Sequence, residues 1–189
     1  LQALLRAEKD RRMVLPEVMQ RINTLIHENT STEMFITLFV ATYDPVSHEF
    51  CYVNAGHDYP ILMRSDGAMQ SLSEGGLILG VGPSIRYEQA VIRLEPEDVL
   101  LLYTDGAREA RNAADEEFGE ERLEAALHQA RMLPTHEVVR RVEQAVIEFT
   151  GREDFEDDFT LLVARVGQAA GVPEAARVVR AEPSRRRAR

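Results

Sequence analysis

The sequence predicts an α+β fold in which helices pack on a largely antiparallel sheet. Three observations carry this. Helical periodicity opens the chain, a run of strand-like segments follows, and two amphipathic helices and a last apolar run close it. Turn chemistry separates consecutive strand-like segments closely enough for hairpins. The apolar runs are short and bounded by turn residues, and none approaches membrane-spanning length. At 189 residues the chain suits one domain, and 44% apolar residues are ample for a core.

Residues 1–12 have helical spacing. Leu15, Val18, Ile22, Leu25 and Asn29 mark one face of a second helix, with Pro16 tolerated in its first turn. Segment 34–43 reads as a buried strand, and 50–54 returns after the turn residues Asp44, Pro45, Val46 and Ser47. Segments 61–64 and 69–72 flank Ser65-Asp66-Gly67-Ala68, a hairpin signal. Gly75, Gly76, Gly80, Gly82 and Pro83 break regular structure. Segment 87–94 alternates like a half-buried strand, and 99–104 is apolar enough to be buried on both faces. Leu123, Ala126, Leu127 and Ala130 stripe one helix. Val138, Val139, Val142, Val146 and Phe149 stripe the next, with Thr135 as its N-cap. Segment 160–166 is the last buried strand. The globular domain is therefore expected over 1–166, and the Ala, Pro, Gly and Arg composition of 167–189 reads as a disordered tail.

The net charge of −10 disfavours nonspecific nucleic-acid binding and an anionic membrane surface. Most of this acidity reads as solvated helix surface. In the tail the balance reverses, because Arg177, Arg180, Arg185, Arg186, Arg187 and Arg189 outweigh Glu174 and Glu182. Cys51 is the single cysteine, which excludes a disulfide framework and a thiolate metal site. It reads as a small buried hydrophobe. A reducing, cytoplasmic setting fits this usage. The sequence begins Leu1-Gln2-Ala3 without Met and is read as part of a longer chain.

The segment 99–110 is the most informative. An apolar run ends in Asp105-Gly106, a carboxylate at a strand end followed by a residue that lets the backbone turn sharply. About fifty residues on, Asp157-Asp158 opens the run Phe159-Thr160-Leu161-Leu162-Val163. If these strands are antiparallel neighbours, Asp105 and Asp157 converge. Oxygen ligands gathered at a sheet edge suit a hard divalent cation, with Asp158, Glu109, Asp154, Glu156 or water completing the shell. From spacing alone the commoner explanation is different: Asp-Gly is a frequent turn dipeptide, and acidic residues before a strand are usually just solvated. Nothing supports a nucleophilic triad or a phosphate-cradling glycine loop.

Four segments, in order, resemble the metal-dependent serine/threonine phosphatases of the type 2C fold, in their bacterial SpoIIE-like branch. They are Asn54-Ala55-Gly56-His57-Asp58-Tyr59-Pro60, Leu79-Gly80-Val81, the run from Leu102 to Ala110, and Asp157-Asp158-Phe159-Thr160-Leu161. The resemblance covers about residues 1–166. It implies an αββα sandwich of two antiparallel sheets flanked by helices, with two Mn²⁺ or Mg²⁺ ions at one edge. It also implies hydrolysis of phosphoserine or phosphothreonine by metal-activated water without a phosphoenzyme. Asp105 matches the family's metal-bridging aspartate and Asp157 its C-terminal ligand. Gly106 aims Asp105, Glu109 and Asp158 are accessory acidic groups, and His57 is a site-proximal candidate. The family's first motif, Gly-Asp-x-x-Gly-x-Gly, does not occur in this sequence. The metal site is therefore expected to be incomplete here and activity weak or absent.

The resemblance further implies a phosphorylated STAS-type anti-sigma-factor antagonist as substrate and an upstream sensory or receiver domain as input. The two N-terminal helices would relay the signal, and a homodimer stays open. The rival readings are a catalytically inactive module that binds a regulatory partner, and a structural Ca²⁺ or Mg²⁺ site.

Overall fold

The computed structural model describes residues 14–29, 35–155 and 157–167, together with a strand at 179–181. The helix expected over 1–12 and the carboxylate Glu156 lie outside the described residues. In chain order the elements are α1 (Leu15–Asn29), β1 (Leu38–Tyr43), β2 (Glu49–Ala55), β3 (Ile61–Met63), β4 (Met69–Ser71), β5 (Gly75–Gly76), β6 (Ala90–Arg93) and β7 (Val99–Tyr103). There follow α2 (Asp105–Arg108), α3 (Gly119–Gln129), α4 (Thr135–Thr150), β8 (Phe159–Arg165) and β9 (Val179–Ala181). The class is α+β, as the order of periodicities predicts. The described elements fall into two compact units, one holding α1, β1, β2, β5 and β6, the other holding β3, β4, β7, α2, α3, α4, β8 and β9.

In the first unit β2 pairs antiparallel with β1 on one side and with β6 on the other. The β1–β2 connection is the turn read from sequence: the Asp44 carboxylate accepts the N–H groups of Val46 at 2.8 Å and Ser47 at 3.3 Å. Gly75 and Gly76 form β5, a two-residue parallel pair with Asn54 and Ala55. This corrects one expectation and sharpens another. The glycine pair is not a break, and the largely antiparallel sheet includes this one short parallel pair. Leu15, Val18, Met19 and Ile22 recur at helical spacing and pack on Val40, Val53, Ala55, Leu79 and Tyr87. Leu25, expected on that face, is 42% exposed, while Asn23 is fully buried. Cys51 is only half-buried, at the margin of this core.

Asn23 explains the rotation of the buried face. Its Oδ1 accepts the Gly80 N–H at 2.9 Å and its Nδ2 donates to the Gly82 carbonyl at 2.8 Å. One helical turn on, His27 Nδ1 lies 3.0 Å from the Gly80 carbonyl. The buried amide thus has a partner at both ends, which an interior polar group requires.

In the second unit the strand order is β4-β3-β7-β8-β9, antiparallel throughout. The β3–β4 hairpin turns at Gly67, whose φ of 92° is open to glycine at little cost. Alternate residues of β8, Phe159, Leu161 and Val163, face the core with Val99, Leu101 and Tyr103 of β7. Leu123 and Leu127 of α3, and Val138, Val139, Val142 and Val146 of α4, close over them. Each fully buried aliphatic side chain contributes about 1.5–3 kcal/mol. Two details differ from expectation. Thr135 is the first residue of α4 rather than its cap, a position held by Pro134 without a side-chain bond. The tail read as disordered contains β9, which pairs with Phe159, Thr160 and Leu161. Among the described residues no helix is long and apolar enough to cross a membrane.

Buried Asp98 locks the hairpin side of this unit. At 1% exposure it accepts Arg64 Nη1 at 2.8 Å, the Ser65 N–H at 3.0 Å and the Glu95 N–H at 2.9 Å. A buried carboxylate is stable only when paired and hydrogen-bonded in this way. At the same end of the neighbouring strand Arg165 Nη2 donates to the carbonyls of Arg131 and Leu133 at 2.7 and 2.8 Å, tying β8 to the loop after α3.

Candidate functional site

The register of β7 on β8 places Tyr103 opposite Leu161, so the end of one strand lies beside the start of the other. Thr104 carries the ladder one step further. Its N–H donates to the Thr160 carbonyl at 3.2 Å, and its hydroxyl accepts the Thr160 N–H at 3.0 Å. The same hydroxyl donates to the Asp158 carbonyl at 2.6 Å. Asp105 then opens α2, a single helical turn. Gly106 is pressed against the other strand: a Cβ on it would stand 2.7 Å from the carbonyl oxygen of Asp158 and 3.3 Å from that of Asp157. Only a residue without a side chain allows this approach.

The approach brings Asp105 and Asp157 to one hollow of about 230 Å³, which Gly106, Glu109 and Asp154 also line. One oxygen of each strand-end carboxylate is used locally. Asp105 Oδ1 accepts the Gly106 N–H at 2.9 Å, and Asp157 Oδ1 accepts the Asp158 N–H at 2.8 Å. All four carboxylates are exposed, so their charges carry little desolvation cost. Positive charge also reaches the hollow, through Arg111 and Arg152. Thr150 holds the Arg152 backbone, accepting its N–H at 3.3 Å and donating to its carbonyl at 3.1 Å. Arg152 Nη2 donates to the Arg111 carbonyl at 3.2 Å.

The donor set suits a hard divalent cation, since the ligating side chains around the hollow are all carboxylates. Among the described residues, however, no three His, Cys, Asp or Glu side chains form a cluster that could hold an ion. Mg²⁺ characteristically keeps several waters and takes one or two carboxylates. Asp105 and Asp157 fit an ion held in that manner; a closed protein cage is not present among the described residues.

The other sequence candidates divide. Glu109 lines the hollow and pairs with Arg108. Asp158 meets the site through its backbone, as the carbonyl that receives Thr104 and crowds Gly106. His57 belongs to the first unit. Its N–H donates to Asn54 Oδ1 at 2.8 Å and its carbonyl accepts Asn54 Nδ2 at 3.0 Å, so the Asn54 side chain closes the loop that follows β2. Sequence reasoning missed Thr104, Thr150, Arg111 and Arg152. A threonine directly before Asp-Gly at a strand end was a usable signal for the first; the arginines carry no signature, and the place of Arg152 depends on where α4 ends.

A buried tyrosine lies under this region. The Tyr103 hydroxyl has no hydrogen-bond partner among the described residues. Burial raises its pKa above the ordinary value, and the carboxylates of Glu120 and Asp58 add to the shift.

Comparison with known proteins gives the family and the fold. The family model for Stage II sporulation protein E (SpoIIE) matches residues 1–167. The phosphoserine phosphatase RsbU of Bacillus subtilis is 30% identical over 153 residues, which is 79% of this chain and 44% of RsbU. The chain spans less than half the length of the curated relatives it matches. Among solved structures, the SiaA-PP2C domain of Pseudomonas aeruginosa superposes with a TM-score of 0.73 at 17% identity, covering 87% of this chain and 65% of that one. The Mn-presoaked phosphatase domain of SpoIIE from Bacillus subtilis gives 0.65 at 17% identity, covering 89% and 74%.

Proposed function

The chain belongs to the SpoIIE family, and from that premise we propose that it is a divalent-metal-dependent phosphatase acting on phosphoserine or phosphothreonine in proteins. The observation that carries the reading is the contact of Gly106 with the Asp157–Asp158 backbone, which sets two strand-end carboxylates on one hollow. Asp105 and Asp157 would hold Mn²⁺ or Mg²⁺. The bound cation would supply Lewis acidity toward water and toward the phosphoryl oxygens. The chain's own residues do the positioning. Thr104 fixes the spacing of the two strand ends, and Gly106 aims Asp105. Asp158 serves through its carbonyl. Glu109 balances charge beside the ligands, and Arg111 and Arg152 bring positive charge to the hollow that a phosphoryl group would enter.

The finer proposal is that the substrate is a phosphorylated STAS-type anti-sigma-factor antagonist in a bacterial partner-switching pathway, with an upstream sensory or receiver domain as input. The likeness to RsbU, named a phosphoserine phosphatase, supports the phosphoserine part. The test is Mn²⁺-dependent phosphate release from a phosphoserine STAS protein and from a generic aryl phosphate. It is run on this chain and on the full natural protein, each with Asp105→Asn and Asp157→Asn controls. Hydrolysis that either substitution abolishes at unchanged melting temperature supports the proposal. Well-folded proteins that hydrolyse neither substrate would sink it and favour a partner-binding module.

A further inference from the structure

Arg108 closes the turn that Asp105 opens, and it is shared among three carboxylates. Its Nε donates to Asp58 Oδ1 at 2.8 Å, its Nη2 pairs with Glu109, and its Nη1 stands 4.0 Å from Glu117 Oε2. The pair with Asp58 is the most enclosed, with side-chain exposures of 29% and 17%, against 52% for Glu109. Asp58 lies just before β3, far from Arg108 in sequence but in the same unit. Glu109 is the member of this network that also lines the hollow with Asp105 and Asp157. The carboxylate of this network that shares the hollow with the proposed ligands is therefore committed to an arginine whose own charge is divided with Asp58.

We propose that the Asp58–Arg108 pair sets the cation affinity of the hollow, by controlling how much of Arg108's positive charge is left to hold Glu109 and oppose the ion. The proposal rests on reading the hollow as a cation site. Asp58 and Arg108 are positioning residues here and touch no ligand. With Asp58 in place, Arg108 is drawn away from the hollow and partly neutralised. Without the Asp58 charge, Arg108 is left to Glu109 and Glu117 and adds an opposing charge beside the site. Without the Arg108 charge, Glu109 is released toward the ion. The two partners of one ion pair thus have opposite effects on cation binding. A salt bridge that merely braces the turn would loosen the site whichever partner is lost.

The experiment is direct Mn²⁺ binding to the protein, followed by the electron paramagnetic resonance of free Mn²⁺, with a thermal melt of every variant. Asp58→Asn should weaken binding and Arg108→Gln should tighten it, each about three- to tenfold at low ionic strength. Arg108→Lys keeps the charge and should bind as wild type. Asp58→Asn should change nothing when added to Arg108→Gln, because its effect passes through the arginine. If Arg108→Gln does not fold, Arg108→Met carries the same expectation. Wild-type binding that Asp105→Asn abolishes, with Asp58→Asn and Arg108→Gln shifting the same way or not at all, overturns this inference alone. Wild type that binds no Mn²⁺, or Asp105→Asn that binds as well as wild type, overturns the cation reading and this inference with it.

Discussion

Replacing Gly106 with alanine tests how closely the two strand ends must approach. The new methyl carbon would stand 2.7 Å from the Asp158 carbonyl oxygen and 3.0 Å from its carbon. An ordinary carbon–oxygen contact is about 3.3 Å, so roughly 0.6 Å of movement is needed. Neither side can yield by changing rotamer. The obstacle is backbone, and its oxygen is already held by the Thr104 hydroxyl at 2.6 Å. Overpacking against such an obstacle costs about 1–3 kcal/mol. Gly106 lies in a helical turn, where alanine is favoured by about 1 kcal/mol, and this offsets part of the cost. The net loss of stability is therefore about 0–2 kcal/mol, a fall in melting temperature of no more than about 8 °C for a chain of this length. The larger effect is on the site. Pushing the turn off β8 parts Asp105 from Asp157, and loss of a supporting contact behind metal ligands typically weakens binding about 10- to 100-fold. A melting curve and a Mn²⁺ titration on the same sample separate the two effects. A variant that melts higher than wild type and binds Mn²⁺ equally well would refute the reasoning, since Gly106 would then be an ordinary helix position.

Asp98→Ala removes a buried acceptor of three hydrogen bonds; with Arg64 able to rehydrate, the cost is about 3 kcal/mol, read from the urea midpoint, and a loss below about 1 kcal/mol would contradict the lock described for Asp98. Thr104→Val keeps the shape but leaves the Thr160 N–H and the Asp158 carbonyl without their bridge, an expected loss of about 1–2 kcal/mol together with weaker Mn²⁺ binding; wild-type values for both would show that the hydroxyl is incidental. Burial raises the phenol of Tyr87 from 10.0 to about 12, so the fold holds a proton that the unfolded chain releases from about pH 10 upward. Stability is accordingly complete below pH 10 and falls as pH rises toward 12. Tyr87→Phe should flatten that decline in melts between pH 8 and 11 without destabilising at pH 7, because its hydroxyl has no hydrogen-bond partner among the described residues; an unchanged alkaline slope would remove Tyr87 as a cause.

The elements readable in the sequence were those whose pattern one neighbour can satisfy. The run over 99–104 declared itself because β7 pairs on both sides and packs against helices, leaving little room for polar residues. The meeting of Asp105 and Asp157 followed once β7 and β8 were taken as antiparallel neighbours, which they are. β5 was illegible for the opposite reason. Two glycines have no side-chain periodicity, and their strand exists because bare backbone can approach Asn54 closely. β9 was hidden by composition, since an edge strand draws its hydrogen bonds from backbone and needs no apolar side chains of its own. The stripe of α1 was misdrawn at Leu25 because the buried face includes Asn23, a polar residue that no hydrophobic period can detect. Around the hollow, the carboxylates were visible as motif residues, whereas Arg152 arrives there through the end of a helix fifty residues from Asp105 in the opposite direction of any local pattern.

The bonds between α1 and the glycine loop are written on one partner only. Among the described residues Asn23 and His27 hydrogen-bond main-chain groups of Gly80 and Gly82, so these polar contacts follow the path of the loop at 80–82 and do not depend on its side chains there. Val81, between them, is 49% exposed, and a Cβ on Gly82 would meet no atom within 4 Å. Gly80 is the exception, because its φ of 97° keeps the position for glycine. Sequence drift or a mutant library should therefore be lopsided: broad tolerance at 81 and 82, and near-complete intolerance at Asn23, where aspartate would keep the shape yet lose the donor that holds the Gly82 carbonyl.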